Sequence, residues 1–141
     1  LKGDLKADLN PIILKNISSL RRMAKKHNIS IQTLIKLIKD AGGVSVIAHP
    51  MASHRGRTIS LDTFGSLIQA GLDGIEVDHR DHSAEEKTQL ISLAKESKLV
   101  MTGASDYHGN GKLNSLGEYT TEPAQWQKLE ERANARRVLS V

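Results

Sequence analysis

Three short apolar runs, rich in β-branched residues, limit what this chain can become: VSVIAHP at 44–50, IEV at 75–77 and LVMTGA at 99–104. Each is too short for a helix, and each is followed by a segment with helical spacing, so they read as buried strands. Leu61 to Ala70 is amphipathic and is closed by GLDG. Ser83 is placed to cap a helix from Ala84 to Lys98, with Glu86 at the third helical position completing a capping box. Pro123 opens a last helix through about Ala135. Ahead of the first strand the spacing is helical from Leu14 to Lys39, where KHNIS breaks the run. Ser30 then caps a second helix carrying Ile31, Leu34, Ile35 and Ile38, and DAGG stops it. Strand, helix, strand, helix, strand, helix with short connections predicts an α/β fold of parallel βα units.

A chain of 141 residues is long enough to bury one real core. Aromatic residues are only 3% of it, so that core must be built mostly from Ile, Leu, Val and Ala. No run approaches the ~18–20 apolar residues that cross a bilayer, and no signal peptide is visible. There is no cysteine, which excludes disulfides and thiolate metal sites. These features predict a cytoplasmic protein with no membrane partner. The formal charge of +4, with RRMAKK among the early cations, favours anionic partners such as phosphates or nucleic acid. A solvated helix face explains the same residues. Surface aromatics of the kind that stack on single-stranded bases are not interleaved with them.

Parallel βα folds place their chemistry at the carboxyl ends of the strands. Here the first strand ends in His49–Pro50, the second in EVDHRDH and the third in SDYHG. Five of the six histidines (His49, His54, His79, His82 and His108) lie at or just after these ends, and only His27 lies elsewhere. Asp106 and His108 are two apart, so in extended backbone both aim at one point, as a pair of metal donors would. His49 reads either as a ligand or as a hydrogen-bonded histidine closing a strand. Glu76 and Asp78 also share a face; Glu76 either points at the site, if the strand lies inside a barrel, or pairs structurally, for instance with a lysine, and pairing is the expected role. His79 and His82 could hold a metal as neutral imidazoles or a phosphate near a helix N-terminus when protonated, and phosphate contact is the expectation for His82 and, more weakly, for His79. Arg55 and Arg57, in the SHRGR loop, offer guanidinium forks that suit phosphate oxygens. HGNGK lacks the spacing and setting of a phosphate loop and is not one. Histidine and aspartate without cysteine select Mn, Mg, Fe or Zn, and such ions polarise a phosphoryl oxygen.

AGGVSVIAHP, GLDGIEVDHRDHSAEE and LVMTGASDYHG, in that order, resemble the last three strand-end motifs of the polymerase and histidinol phosphatase (PHP) superfamily. The resemblance covers about residues 35–122 and is strongest to the stand-alone branch of nucleotide phosphoesterases. It implies a distorted, TIM-like (βα)7 barrel with a trinuclear centre of divalent metal ions, most commonly Mn, with Zn, Fe or Mg as alternatives. By motif, His49, Asp106 and His108 match metal ligands; no further catalytic residue is assigned. The substrates implied are 3′,5′-bisphosphonucleotides or the 5′ ends of short RNA. The family's first His-x-His pair, its histidine–aspartate motif and a glutamate have no counterpart here, since LKGDLKADLNP holds no histidine. With Leu1 rather than Met at the start, the expectation is the C-terminal half of a longer enzyme, inactive without its N-terminal half. Residues 1–38 would then be the end of a helical insertion subdomain, and 39–141 the last βα units of the barrel. Two other readings stay open: a catalytically inactive PHP-like module that binds nucleic acid or protein, and a polymerase-associated PHP domain.

Overall fold

A computed structural model describes residues 26, 29–53, 56, 58–111 and 113–133. The expected helical turns at 14–24 and the residues His27, His54, Arg55 and Arg57 lie outside the described residues.

Helix α1 spans Ile31–Asp40, and the Ser30 hydroxyl caps it by accepting from the Thr33 N–H at 3.1 Å. Its apolar stripe, Leu34, Ile35 and Ile38, is buried as the spacing requires. Strand β1, Val46–Ile47, is shorter than its apolar run, because His49 adopts φ 32° and turns the backbone out of the extended region. Helix α2, Leu61–Gln69, is capped by Ser60 and buries Phe64 and Leu67. Strand β2 is Gly74–Asp78. Helix α3, Ala84–Glu96, has the full capping box: Ser83 Oγ accepts from Glu86 N, and Glu86 Oε2 accepts from Ser83 N at 2.7 Å. It stops two residues before Lys98, which takes the left-handed conformation (φ 56°) that usually follows a helix C-cap. Strand β3 is Val100–Gly103, and helix α4, Pro123–Arg132, begins on its proline. None of the described helices is long and apolar enough to cross a membrane.

The three strands are parallel, in the order β1-β2-β3, with Val46 opposite Gly74 and Gly74 opposite Val100. Their amino ends are fastened by a buried carboxylate: Asp73 Oδ2 accepts from the Ser45 N–H at 2.9 Å and from its hydroxyl at 3.2 Å. Ile47, Ile75, Phe64, Leu67, Leu90 and Ala94 form one core with Ile35 of α1, so α1 and the sheet share a single apolar interior. Within β2 the ladder slips between Glu76 and Asp78, which oppose Thr102 and Gly103. The irregularity breaks the alternation expected of residues two apart. Glu76 is buried, whereas Asp78 is exposed and pairs with Lys87 at 2.7 Å. The two carboxylates therefore do not share a face.

The outer side of β3 is closed by side chains. Gln125 Oε1 accepts from the Met101 N–H at 3.2 Å. The Thr121 hydroxyl accepts from the Gly103 N–H at 3.1 Å and donates to the Gly103 carbonyl at 3.0 Å. Gly103 makes this approach possible, because a Cβ there would run into the carbonyl oxygen of Thr120.

Candidate functional site

The carboxyl ends of all three strands bring their polar residues together. His49 lies two residues beyond β1, His79 one beyond β2 and Asp106 three beyond β3. The rings of His49 and His79 are 5.1 Å apart between centroids, and those of His79 and His82 are 5.7 Å apart. His79 Nε2 is 3.9 Å from Asp106 Oδ2, and the other oxygen, Oδ1, is 2.9 Å from His108 Nε2. One continuous group thus runs His82–His79–His49 on one side and His79–Asp106–His108 on the other.

Asp106 and His108 do meet, but not by extended alternation. Asp106 has φ 48°, in the left-handed region, and the loop rather than a strand folds the two side chains onto each other. The loop is fixed on both flanks. Ser105 Oγ donates to the Tyr119 carbonyl at 3.0 Å and accepts from its N–H at 3.1 Å. Asn114 Nδ2 donates to the Ser105 carbonyl at 2.7 Å. Arg80, just past β2, donates to Asn114 Oδ1 at 3.0 Å and lies 3.6 Å from Glu118, so the loops after β2 and β3 are joined.

His79 is fully buried, and its Nδ1 accepts from the Asp81 N–H at 3.1 Å. That bond assigns the proton of the neutral ring to Nε2, the nitrogen facing Asp106. His82 is also buried: its Nε2 accepts from the Met51 N–H at 3.4 Å, so Nδ1 carries the proton and donates to the Val77 carbonyl at 2.9 Å. The ring is a strut between the end of β2 and the loop after His49. A phosphate contact by the His82 ring would have to displace one of these backbone bonds in a buried setting. Glu76 does pair structurally: its Oε2 accepts from the backbone N–H of His49 at 2.9 Å.

Imidazole nitrogen and carboxylate oxygen form the kind of donor set that takes Mn, Fe, Zn or Mg, and Asp106 Oδ1 and His108 Nε2 already face each other. Among the described residues no three His, Asp or Glu close on one point. These side chains therefore fit part of a coordination shell.

No family model matches the chain. Over 84 residues it is 37% identical to a phosphoribosyl 1,2-cyclic phosphate 1,2-diphosphodiesterase of Eggerthella lenta, a match that covers 59% of this chain and 30% of the relative. It is 32% identical over 83 residues to a 3′,5′-nucleoside bisphosphate phosphatase of Chromobacterium violaceum, covering 59% of this chain and 29% of that one. A crystal structure from Bifidobacterium adolescentis, described as a metal-dependent phosphoesterase, superposes with a TM-score of 0.72 at 37% identity, over 75% of this chain and 37% of its own. These likenesses support the resemblance to the PHP superfamily. The matched stretches span less than a third of the length of either curated relative. What the chain supplies here is three consecutive strand ends, together with the loops that hold His49, Asp106 and His108.

Two parts of the site were invisible in the sequence. Nothing marks Asn114, in a loop of glycine, lysine and serine, as the buried anchor of Ser105. Arg80 sits in a turn where a solvated cation is the ordinary reading. Only proximity in the fold reveals either role.

Proposed function

We propose that the protein carrying this chain is a metal-dependent phosphoesterase that hydrolyses phosphate esters of nucleotides, with 3′,5′-bisphosphonucleotides or the 5′ ends of short RNA as substrates. The observation that carries this reading is the meeting of His49, His79, Asp106 and His108 at one edge of the sheet. The names of the relatives support it, since both curated ones act on phosphate esters. The absence of cysteine throughout the chain supports a cytoplasmic setting.

In this reading His49, Asp106 and His108 hold divalent metal, Mn foremost, and donors from beyond this chain complete the shell. The bound metal supplies polarisation of the phosphoryl oxygens and stabilises charge that builds on them. The chain's own residues set the stage. His79 stands beside the carboxylate, its Nε2 3.9 Å from Asp106 Oδ2, while Oδ1 faces His108 at 2.9 Å. The loop clamp through Asn114 and Arg80 fixes where that carboxylate stands. Arg55 and Arg57 orient the phosphates of the substrate. Water adds to phosphorus as the ester P–O bond breaks, and the alcohol leaves with a proton.

The test is turnover by the full-length gene product with added Mn. A bisphosphonucleotide, a short 5′-phosphorylated RNA, a cyclic phosphodiester and p-nitrophenyl phosphate would be assayed side by side. Metal-dependent release of phosphate or of a nucleotide, lost in Asp106→Ala, is the expected result. Turnover that persists after chelation or in Asp106→Ala would sink the proposal. Nucleic-acid binding without turnover would replace it with a binding module.

A further inference from the structure

We infer that Glu76 is a positioning residue that sets the direction of His49, acting through the His49 backbone rather than through its ring. The inference rests on the reading of His49 as a metal ligand. Glu76 lies in the middle strand with 4% of its surface exposed, and its Oε2 accepts from the His49 N–H at 2.9 Å. His49 is not glycine, yet it holds φ 32°, a conformation that a residue with a side chain adopts only where its surroundings compel it. A buried carboxyl oxygen bonded to that amide is such a constraint.

Neighbouring contacts make the same turn. The His49 carbonyl accepts from the Ala52 N–H at 3.3 Å, and Pro50 O accepts from Ile59 N at 3.1 Å. His82 holds the Met51 N–H. Of these, the bond from Glu76 alone reaches His49's own amide from the adjacent strand. It therefore links the rotation of the His49 Cα–Cβ vector to the rigid centre of the sheet. Without it the turn has less reason to stay left-handed, and the ring would swing from its place 5.1 Å from His79.

The role makes an unusual demand on substitutions. Glu76→Gln keeps the reach and an accepting oxygen but removes the charge. Glu76→Asp keeps the charge but is one methylene too short to reach the amide. If Glu76 positions His49 by its hydrogen bond, Gln is the mild change and Asp the harmful one. If Glu76 were itself a metal ligand or merely a negative charge for the site, the order would be reversed.

The experiment uses the full-length protein and two readouts. Amide hydrogen exchange at His49 is measured in the metal-free protein, and Mn affinity is measured by calorimetry, with His49→Ala as the reference. Glu76→Asp is expected to speed exchange of the His49 amide at least ~10-fold and to weaken Mn binding ~10–100-fold, the usual span for groups that orient a ligand. Glu76→Gln is expected to leave both within ~3-fold of the parent. Unchanged exchange in Glu76→Asp, or a Gln variant as damaged as the Asp variant, overturns the inference. If His49→Ala leaves Mn affinity unchanged, the metal reading of His49 fails instead, while the exchange arm still decides whether Glu76 holds the His49 backbone.

Discussion

Asn114 bridges Arg80 and Ser105: its amide oxygen accepts from the guanidinium at 3.0 Å, and its amide nitrogen donates to the Ser105 carbonyl at 2.7 Å. The carbonyl it holds immediately precedes Asp106. Replacing Asn114 with Ala removes both bonds from a residue 7% exposed. The expected loss is ~1–3 kcal/mol of stability, the penalty for buried polar groups left unmet. Urea unfolding measures it, and faster amide exchange should be confined to residues 104–109.

The same loop depends on Gly103. Adding a methyl group there meets the Thr120 carbonyl, a backbone atom that cannot step aside as a flexible side chain would. Gly103→Ala should therefore cost ~1–3 kcal/mol, as overpacking does. Gly65 provides the contrast, since it lies exposed within α2 and a Cβ there meets nothing within 4 Å. Gly65→Ala should raise stability by ~0.5–1 kcal/mol through helix propensity alone. Denaturation midpoints moving in opposite directions would bear out both statements.

Leu90 has no exposed surface and packs in the core below the site. Leu90→Ala should cost ~2–5 kcal/mol by lost burial and the cavity left behind. A change under ~1 kcal/mol by chemical denaturation would mean that α3 does not bury this face as described.

The start of α3 carries a small acid dependence. The carboxyl of Glu85 is held below its ordinary value of 4.5 by hydrogen bonds, first to its own backbone and then to the Ser83 side chain, against a minor opposing effect of burial. A carboxyl lowered on folding favours the folded state above its unfolded value. That help disappears as the pH falls through the folded value. Nuclear magnetic resonance titration should find the Glu85 midpoint below 4.5, moving upward in Ser83→Ala. The same substitution should cost ~0.5–2 kcal/mol at neutral pH by removing the helix cap.

The elements were legible because their signals are local. Ser30 and Ser83 cap the helices they precede, Leu34, Ile35 and Ile38 share one buried face, and Pro123 starts α4. Strand ends rich in histidine pointed correctly to one edge of the sheet. What local pattern does not carry is departure from ideal backbone. The slip in β2 sends Asp78 to solvent, and the left-handed turns at His49 and Asp106 replace simple alternation. Contacts between distant segments, such as Glu76 with the His49 amide, have no local pattern at all.

The bonds that Thr121 and Gln125 make along β3 resist growth of the sheet on that side. Backbone donors at Met101 and Gly103 are already spoken for, so an incoming ribbon would have to evict two side chains before it could register there. Further strands of the protein, or a stray copy in solution, meet that barrier on the β3 flank. Among the described residues no such side-chain bonds line the outer side of β1.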